Sequence, residues 1–402
     1  MEFVFYTLAA LLVLFSYRSF RGGLDYLAYF RKELGRPHSE YSPFATIICP
    51  CKGLDAGLAE NLAGLFEQDY PAYEVIFVVD DEHDPAVSVI KNPPRNDLKV
   101  SKLVVAPKAT ESSQKVENLR EAVLYADDRS TIFVFVDSDA RPSRDWLRNL
   151  VSPLEDANVG ASTGYRWFIS NHPTFASELR NIWNASIASA FGPNTKENFC
   201  WGGSTAIRRE TFETLDIREK WHGTLSDDFA VTRAMNAANL PIVFVPKALT
   251  ASIEDCSFRE MLEFTTRQMK ITRVYARKLW ILSFLGSGLF CVVMIWSLLL
   301  AMFRLHNDVS VWVAVVTLTF VSALGVGKSY LRLRAARLVL RRYSAELQKQ
   351  LLPQLTLWFV SPIVFLINSF AALFSRRMTW RGVIYEMVSA KETRIVANRD
   401  ER

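Results

Sequence analysis

Apolar residues fall along this chain in two contrasting rhythms. Between positions 44 and 246, short apolar runs alternate with stretches in which apolar positions recur at helical spacing. The runs 45–49, 75–79, 103–106 and 132–136 are rich in β-branched and aromatic residues and predict buried strands. The stretches 58–68, 85–91 and 116–126 predict helices between them. This alternation implies βαβ units, a largely parallel sheet and right-handed crossovers. Roughly two hundred residues of this kind can bury a substantial core.

The second rhythm is long and unbroken. Positions 3–17, 279–303, 309–326 and 355–374 are apolar runs that predict membrane segments. The first lacks a basic leader and a small-residue cleavage site, so it reads as an uncleaved anchor. A short polar turn with Arg304, His306, Asn307 and Asp308 separates the second and third. Pro362 interrupts the fourth, which predicts a broken, re-entrant or interfacial helix as readily as a full span. Arg18, Arg21, Arg31 and Lys32 follow the first run; Lys328, Arg332, Arg334, Arg337, Arg341 and Arg342 follow the third. Positive residues favour the cytoplasmic side, which puts the middle region there. The predicted organisation is an anchor at 1–21, an α/β domain at 44–255, a basic interfacial helix at 256–278, a membrane region at 279–375 and a cytosolic tail at 376–402.

The net charge of +5 over 402 residues adds little to this picture. The juxtamembrane clusters account for it, and anionic headgroups explain them better than nucleic acid does. The five cysteines form no CxxC pair, so reduced thiols and no zinc site are expected. Cys49 and Cys51 are expected to point to opposite faces of their strand.

Candidate chemistry gathers at the strand ends. The first strand runs into Pro50-Cys51-Lys52-Gly53, the second into Asp80-Asp81, the fourth into Asp137-Ser138-Asp139. Ligands of open α/β sheets bind beyond these carboxyl ends. Two hard oxygen ligands there suit Mg²⁺ or Mn²⁺ carrying a diphosphate, although Asp-Ser-Asp also makes ordinary turns. Asp84, before Pro85, is a sufficient helix N-cap, whereas Asp81 has no such structural task.

These residues resemble the inverting family-2 nucleotide-sugar glycosyltransferases of GT-A fold, and within them the ceramide glucosyltransferase group. The resemblance rests on Cys49-Pro50-Cys51-Lys52-Gly53, on Phe66-Glu67-Gln68-Asp69-Tyr70-Pro71-Ala72-Tyr73-Glu74, on Asp81-Glu82-His83-Asp84-Pro85-Ala86 and on Lys115-Val116-Glu117-Asn118-Leu119. It implies a Rossmann-like, mainly parallel α/β catalytic domain that binds a nucleotide sugar, with Pro50, Lys52 and Lys115 among the donor-binding residues. Asp81 would read the uracil base, Asp137 would face the ribose and Asp139 would hold the metal on the diphosphate. In Ser226-Asp227-Asp228-Phe229 the last carboxylate, Asp228, would be the general base, with Asp227 beside it. Helix N-capping is the bland reading of Asp227-Asp228, and a capping Asp227 is compatible with Asp228 as the base. Gly202 and Gly203, in Cys200-Trp201-Gly202-Gly203-Ser204, resemble an acceptor-side segment that lets the backbone approach a sugar.

The family's terminal Gln/Arg-x-x-Arg-Trp motif is altered here to Arg267-Gln268-Met269-Lys270-Ile271. Arg267 and Lys270 share a helical face able to meet a diphosphate, with Gln268 between them; Arg273 and Arg277 are alternatives. Thr379-Trp380-Arg381-Gly382 resembles a C-terminal element of the same group. The stretches 175–191 and 257–278 are candidates to lie at headgroup level, though a soluble-core amphipathic helix explains the first equally. The reading that follows is a membrane-bound hexosyltransferase acting on a lipid such as ceramide. A processive polysaccharide synthase and a non-catalytic membrane scaffold are the competing readings.

Overall fold

The computed structural model describes residues 2–37, 39–92, 101–303 and 308–398. Arg304, His306 and Asn307 of the predicted polar turn lie outside them, as do residues 399–402. The described chain divides into two compact units.

One unit, Lys32–Ile169 with Ala190–Glu254 and Arg376–Arg402, carries the strands. These are β1 (Ala45–Pro50), β2 (Tyr73–Val79), β3 (Ser101–Val105), β4 (Ile132–Phe135), β5 (Ala161–Thr163), β6 (Arg166–Ile169), β7 (Thr205–Arg208), β8 (Ile242–Phe244), β9 (Thr250–Ile253), β10 (Arg377–Trp380), β11 (Val383–Ser389) and β12 (Glu392–Asn398). The main sheet runs β3-β2-β1-β4-β7-β5-β8. Its first four strands pair in parallel, while β7 is antiparallel to both β4 and β5. The sheet is therefore mixed but mostly parallel. Ile48, Val78, Phe133, Phe135 and Ile207 line one face and pack on Val116, Leu119, Trp221 and Met235 of the covering helices.

The four strands legible in the sequence appear within one or two residues of their expected limits. Strands β5 to β9 have three or four residues each, too short and too rich in Thr, Ser and Arg for alternation to declare them. The helix expected at 116–126 is shorter and earlier, Gln114–Ala122, because Ser113 caps it by accepting from the Val116 N–H; a 3₁₀ turn, Val123–Tyr125, follows. Asp84 caps its helix by accepting from the Ala86 N–H at 2.8 Å. The expectation for Cys49 and Cys51 is corrected: their sulfurs lie 3.9 Å apart on one side, because residues two apart in a strand share a face. All five cysteines are free.

Residues read as a tail fold into an antiparallel sheet, β10-β11-β12. Trp380 pairs with Val383, leaving Arg381 and Gly382 as a two-residue turn with φ of 49° and 80°. Positive φ at both positions matches the twist of a right-handed hairpin. Tyr385 anchors the sheet from β11: its hydroxyl accepts from the Gln114 N–H at 3.2 Å.

The other unit, Met1–Arg31 with Ser170–Ser189 and Asp255–Ser375, is helical. Four helices among the described residues are long and apolar enough to cross a membrane: Glu2–Leu34, Arg277–Phe303, Val309–Val339 and Leu351–Phe374. The first and third run well past the apolar stretches seen in sequence, so the basic residues Arg18, Arg21, Arg332 and Arg334 continue the same helices. Phe5, Ala9 and Leu12 pack against Val293, Ala314 and Val321. The fourth is interrupted by a 3₁₀ turn at Leu357–Phe359, just before Pro362. A proline in the first turn of the following helix is tolerated, but it cannot donate to the turn before it.

Candidate active site

Because β1, β2 and β4 are parallel, their carboxyl ends open on one edge of the sheet. Asp137 and Asp139 stand beyond β4. The helix Gln114–Ala122 brings Lys115 to the same edge, and the helix Asp227–Ala237 begins there. Lys115 Nζ lies 2.7 Å from Asp137 Oδ1 and 3.2 Å from Asp227 Oδ1. Burial opposes charge on Lys115, yet Asp137, Asp227 and Asp228 together hold its pKa above the ordinary lysine value. Burial likewise works against ionised Asp137, but Lys115 and Arg166 outweigh it and hold the carboxyl low. Asp227 is different: burial pushes its carboxyl up, and Lys115 only partly offsets this.

Asp228 follows and is half-buried. Its Oδ1 accepts from the Ser226 hydroxyl and from the Phe229 N–H at 2.7 Å. Its Oδ2 makes no hydrogen bond among the described residues. Ser226 is the N-cap residue of this helix, without a side-chain cap, and Asp227 lies inside the first turn. The capping reading of the Asp227-Asp228 pair thus gives way, at Asp227, to the ion pair with Lys115, whose charge attracts the carboxylate more strongly than a backbone N–H does.

Gly202 and Gly203 sit where these carboxylates converge. A Cβ on Gly202 would collide with the Asp227 carboxylate and approach Lys115 Nζ at 2.9 Å; one on Gly203 would run into the Trp201 ring and come 2.8 Å from Asp137 Oδ2. The close approach that these glycines permit is to the acidic cluster itself.

Asp139 Oδ2 accepts from Arg166 Nη1 at 3.0 Å. Its Oδ1 is buried and has no hydrogen-bond partner among the described residues. Burial raises the Asp139 pKa, and the Arg166 charge only partly counters that. Among the described residues no group of three or more His, Cys, Asp or Glu side chains converges as a metal cage. One orphaned carboxylate oxygen fits an ion of the Mg²⁺ or Mn²⁺ kind that completes its shell with substrate phosphates and water.

Lys52, beyond β1, reaches Asp80 Oδ2 at 3.3 Å, and Lys108 reaches the same oxygen at 3.1 Å. Asp80 is buried, whereas Asp81 is half-exposed and accepts from the His83 N–H at 2.9 Å. That N–H and the nearby Lys108 hold Asp81 below the usual carboxylate range. Pro50 ends β1 opposite Val78. It contributes backbone shape, and the Cys51 N–H carries the ladder on to the Val78 carbonyl at 2.8 Å.

Arg267, Gln268 and Lys270 stand on the helix Phe258–Tyr275 of the helical unit. The Arg267 guanidinium lies 5.4 Å from the Phe264 ring centre. Half-burial lowers the Lys270 pKa. Arg273 donates to the Ala372 carbonyl at 2.5 Å and lies over Trp280.

Asp55, Lys108 and Arg166 were not singled out in the sequence, and Asp80 and Arg381 appeared there only as members of longer motifs without a role of their own. Ser138 donates its hydroxyl to Asp55 Oδ2 at 2.6 Å, and Asp55 Oδ1 accepts from Arg381. A charge inside the apolar run Tyr165-Arg166-Trp167-Phe168 was a visible signal for Arg166. Nothing local marked Asp55.

A mostly parallel mixed sheet with this acidic edge is the α/β glycosyltransferase fold. Residues 14–393 match glycosyl transferase family 21, and the chain belongs to that family. It is similar to a ceramide glucosyltransferase of Komagataella phaffii, 31% identical over 88 residues. That match takes in 21% of this chain and only 17% of the relative's length. Among solved structures the chain is similar to a mannosyltransferase from Pyrobaculum calidifontis in complex with GDP-Man and Mn²⁺. There the TM-score is 0.44 at 19% identity, with 90% of this chain and 99% of the other covered.

Proposed function

We propose that this protein moves one hexose from a nucleotide sugar, a UDP-sugar, to the hydroxyl of a membrane lipid such as ceramide, with inversion. The observation that carries this reading is Lys115 joining Asp137 to Asp227 and so setting Asp228 beside the donor-side aspartates. Asp228 Oδ2 is the general base: it takes the proton of the acceptor hydroxyl as that oxygen attacks the anomeric carbon and the bond to the diphosphate breaks. Asp137 and Asp81 hold the nucleoside, and Lys52 and Lys115 set the field around the donor. Asp139 Oδ1 would ligate the divalent ion, which supplies compensation for the charge developing on the leaving diphosphate. Gly202, Gly203 and Asp227 shape the floor of the site. A donor-side role for Arg267, Gln268 and Lys270 rests on the altered motif that they occupy. Four helices long and apolar enough to cross a membrane support an acceptor drawn from the bilayer, and the basic flanks support a cytoplasmic catalytic unit.

The test is release of UDP by the full chain in lipid, with and without Mn²⁺, across several lipid acceptors including ceramide. Turnover that needs both lipid and metal supports the reading. No turnover with any lipid, together with Asp139→Ala behaving as the parent does, would overturn it.

A further inference from the structure

Arg381 reaches the acidic edge from the far end of the sequence, on the turn between β10 and β11. It is ion-paired with Asp55, whose other oxygen holds Ser138, the residue between Asp137 and Asp139. Its side chain remains 43% exposed, against 12% for Asp55, so the ion pair leaves much of the arginine accessible. Both Asp137 and Asp139 feel its charge. We propose that Arg381 contacts the diphosphate of the donor, exchanging the Asp55 carboxylate for phosphate oxygens when the nucleotide enters. The inference rests on the glycosyltransferase reading above and adds a donor-binding residue to it.

Three features support the assignment. A guanidinium presents a planar fork of donors that matches phosphate oxygens in pairs. Lys115 and Arg166 are tied to carboxylates that the reaction needs, Asp137, Asp227 and Asp139, so drawing either away would disrupt the site. Asp55 has no such task and keeps the Ser138 hydroxyl when Arg381 leaves. The turn itself is also unusual: Arg381 holds φ 49°, in the left-handed region where non-glycine residues are uncommon. Such positions persist where the surrounding structure enforces them, often at ligand sites. Here the Tyr385 hydroxyl on Gln114 and the approach of the Lys391 carbonyl to Gly223 hold the hairpin in place.

The experiment measures UDP affinity of the full chain in detergent with Mn²⁺, for the parent, Arg381→Gly, Arg381→Lys and Asp55→Asn. Arg381→Gly removes the guanidinium and relieves the positive φ, so it preserves the turn. It is expected to weaken UDP binding by about tenfold or more, with UMP, which lacks the second phosphate, affected less, and Arg381→Lys is expected to recover part of the loss. Asp55→Asn is expected to bind UDP as well as the parent or better. Unchanged UDP affinity in Arg381→Gly overturns the inference alone. So does an Asp55→Asn loss as large as that of Arg381→Gly, which would make the pair a brace. A parent that binds neither UDP nor GDP overturns the functional reading itself.

Discussion

The ammonium of Lys115 lies 2.7 Å from Asp137 Oδ1 and joins a helix that follows β3 to the end of β4. The same nitrogen holds Asp227, so one lysine neutralises two carboxylates from separate elements. Removing one partner of such a buried set leaves charge uncompensated, which costs about 3–5 kcal/mol. Lys115→Met is therefore expected to lower the unfolding midpoint and abolish transfer. Adding Asp227→Asn should restore part of the stability without activity. Denaturant melts of both variants check this; equal stability of Lys115→Met and parent would refute it.

Asp228 carries a free carboxylate oxygen beside this set. Asp228→Asn is expected to reduce kcat by about 10²–10⁴-fold, the range of general base catalysis, with donor affinity nearly unchanged. Steady-state kinetics alongside UDP binding separate the two effects. A variant that loses donor binding with kcat intact would move the base elsewhere.

Gly202 has no room for a methyl group, since Asp227 and Lys115 fill the space. Overpacking of this kind costs about 1–3 kcal/mol. Gly202→Ala is expected to lower thermal stability by that amount and to weaken activity through displacement of Asp227. Gly22, with nothing near its missing Cβ, provides the control: Gly22→Ala should leave stability unchanged or raise it.

Glu178 is buried in the helix Phe175–Ala188, and burial together with Asp255 raises its pKa from 4.5 to about 7. The folded state thus holds a proton that the unfolded state gives up. Stability contributed by this group is full below the unfolded pKa and falls as pH rises to about 7. Melting curves between pH 5 and 8 should show the parent losing stability with rising pH and Glu178→Gln losing less. Parallel curves for the two would exclude Glu178 as the source.

Much of the catalytic unit is written locally. Five apolar residues before Asp137, and the runs before Pro50 and Asp80, declare strands because each buries both faces and so carries an unbroken apolar signal. The same runs place their acidic ends on one sheet edge once parallel pairing is assumed, and Asp84 before Pro85 announces its own cap. The apolar lengths of the four helices that could cross a membrane are equally plain. Partnership between distant residues is not written that way. That Lys115 would hold both Asp137 and Asp227, that Asp227 would serve an ion pair rather than a cap, and that Asp55 would meet Arg381 across 326 positions of sequence follow from chain crossings alone. Short strands such as β5 and β7 acquire their identity from the neighbours that supply their hydrogen bonds, and the β10–β12 sheet turns a polar tail into a support for the site. Hydrophobic period fixes which face a residue takes; charge pairing depends on where folding brings the faces together.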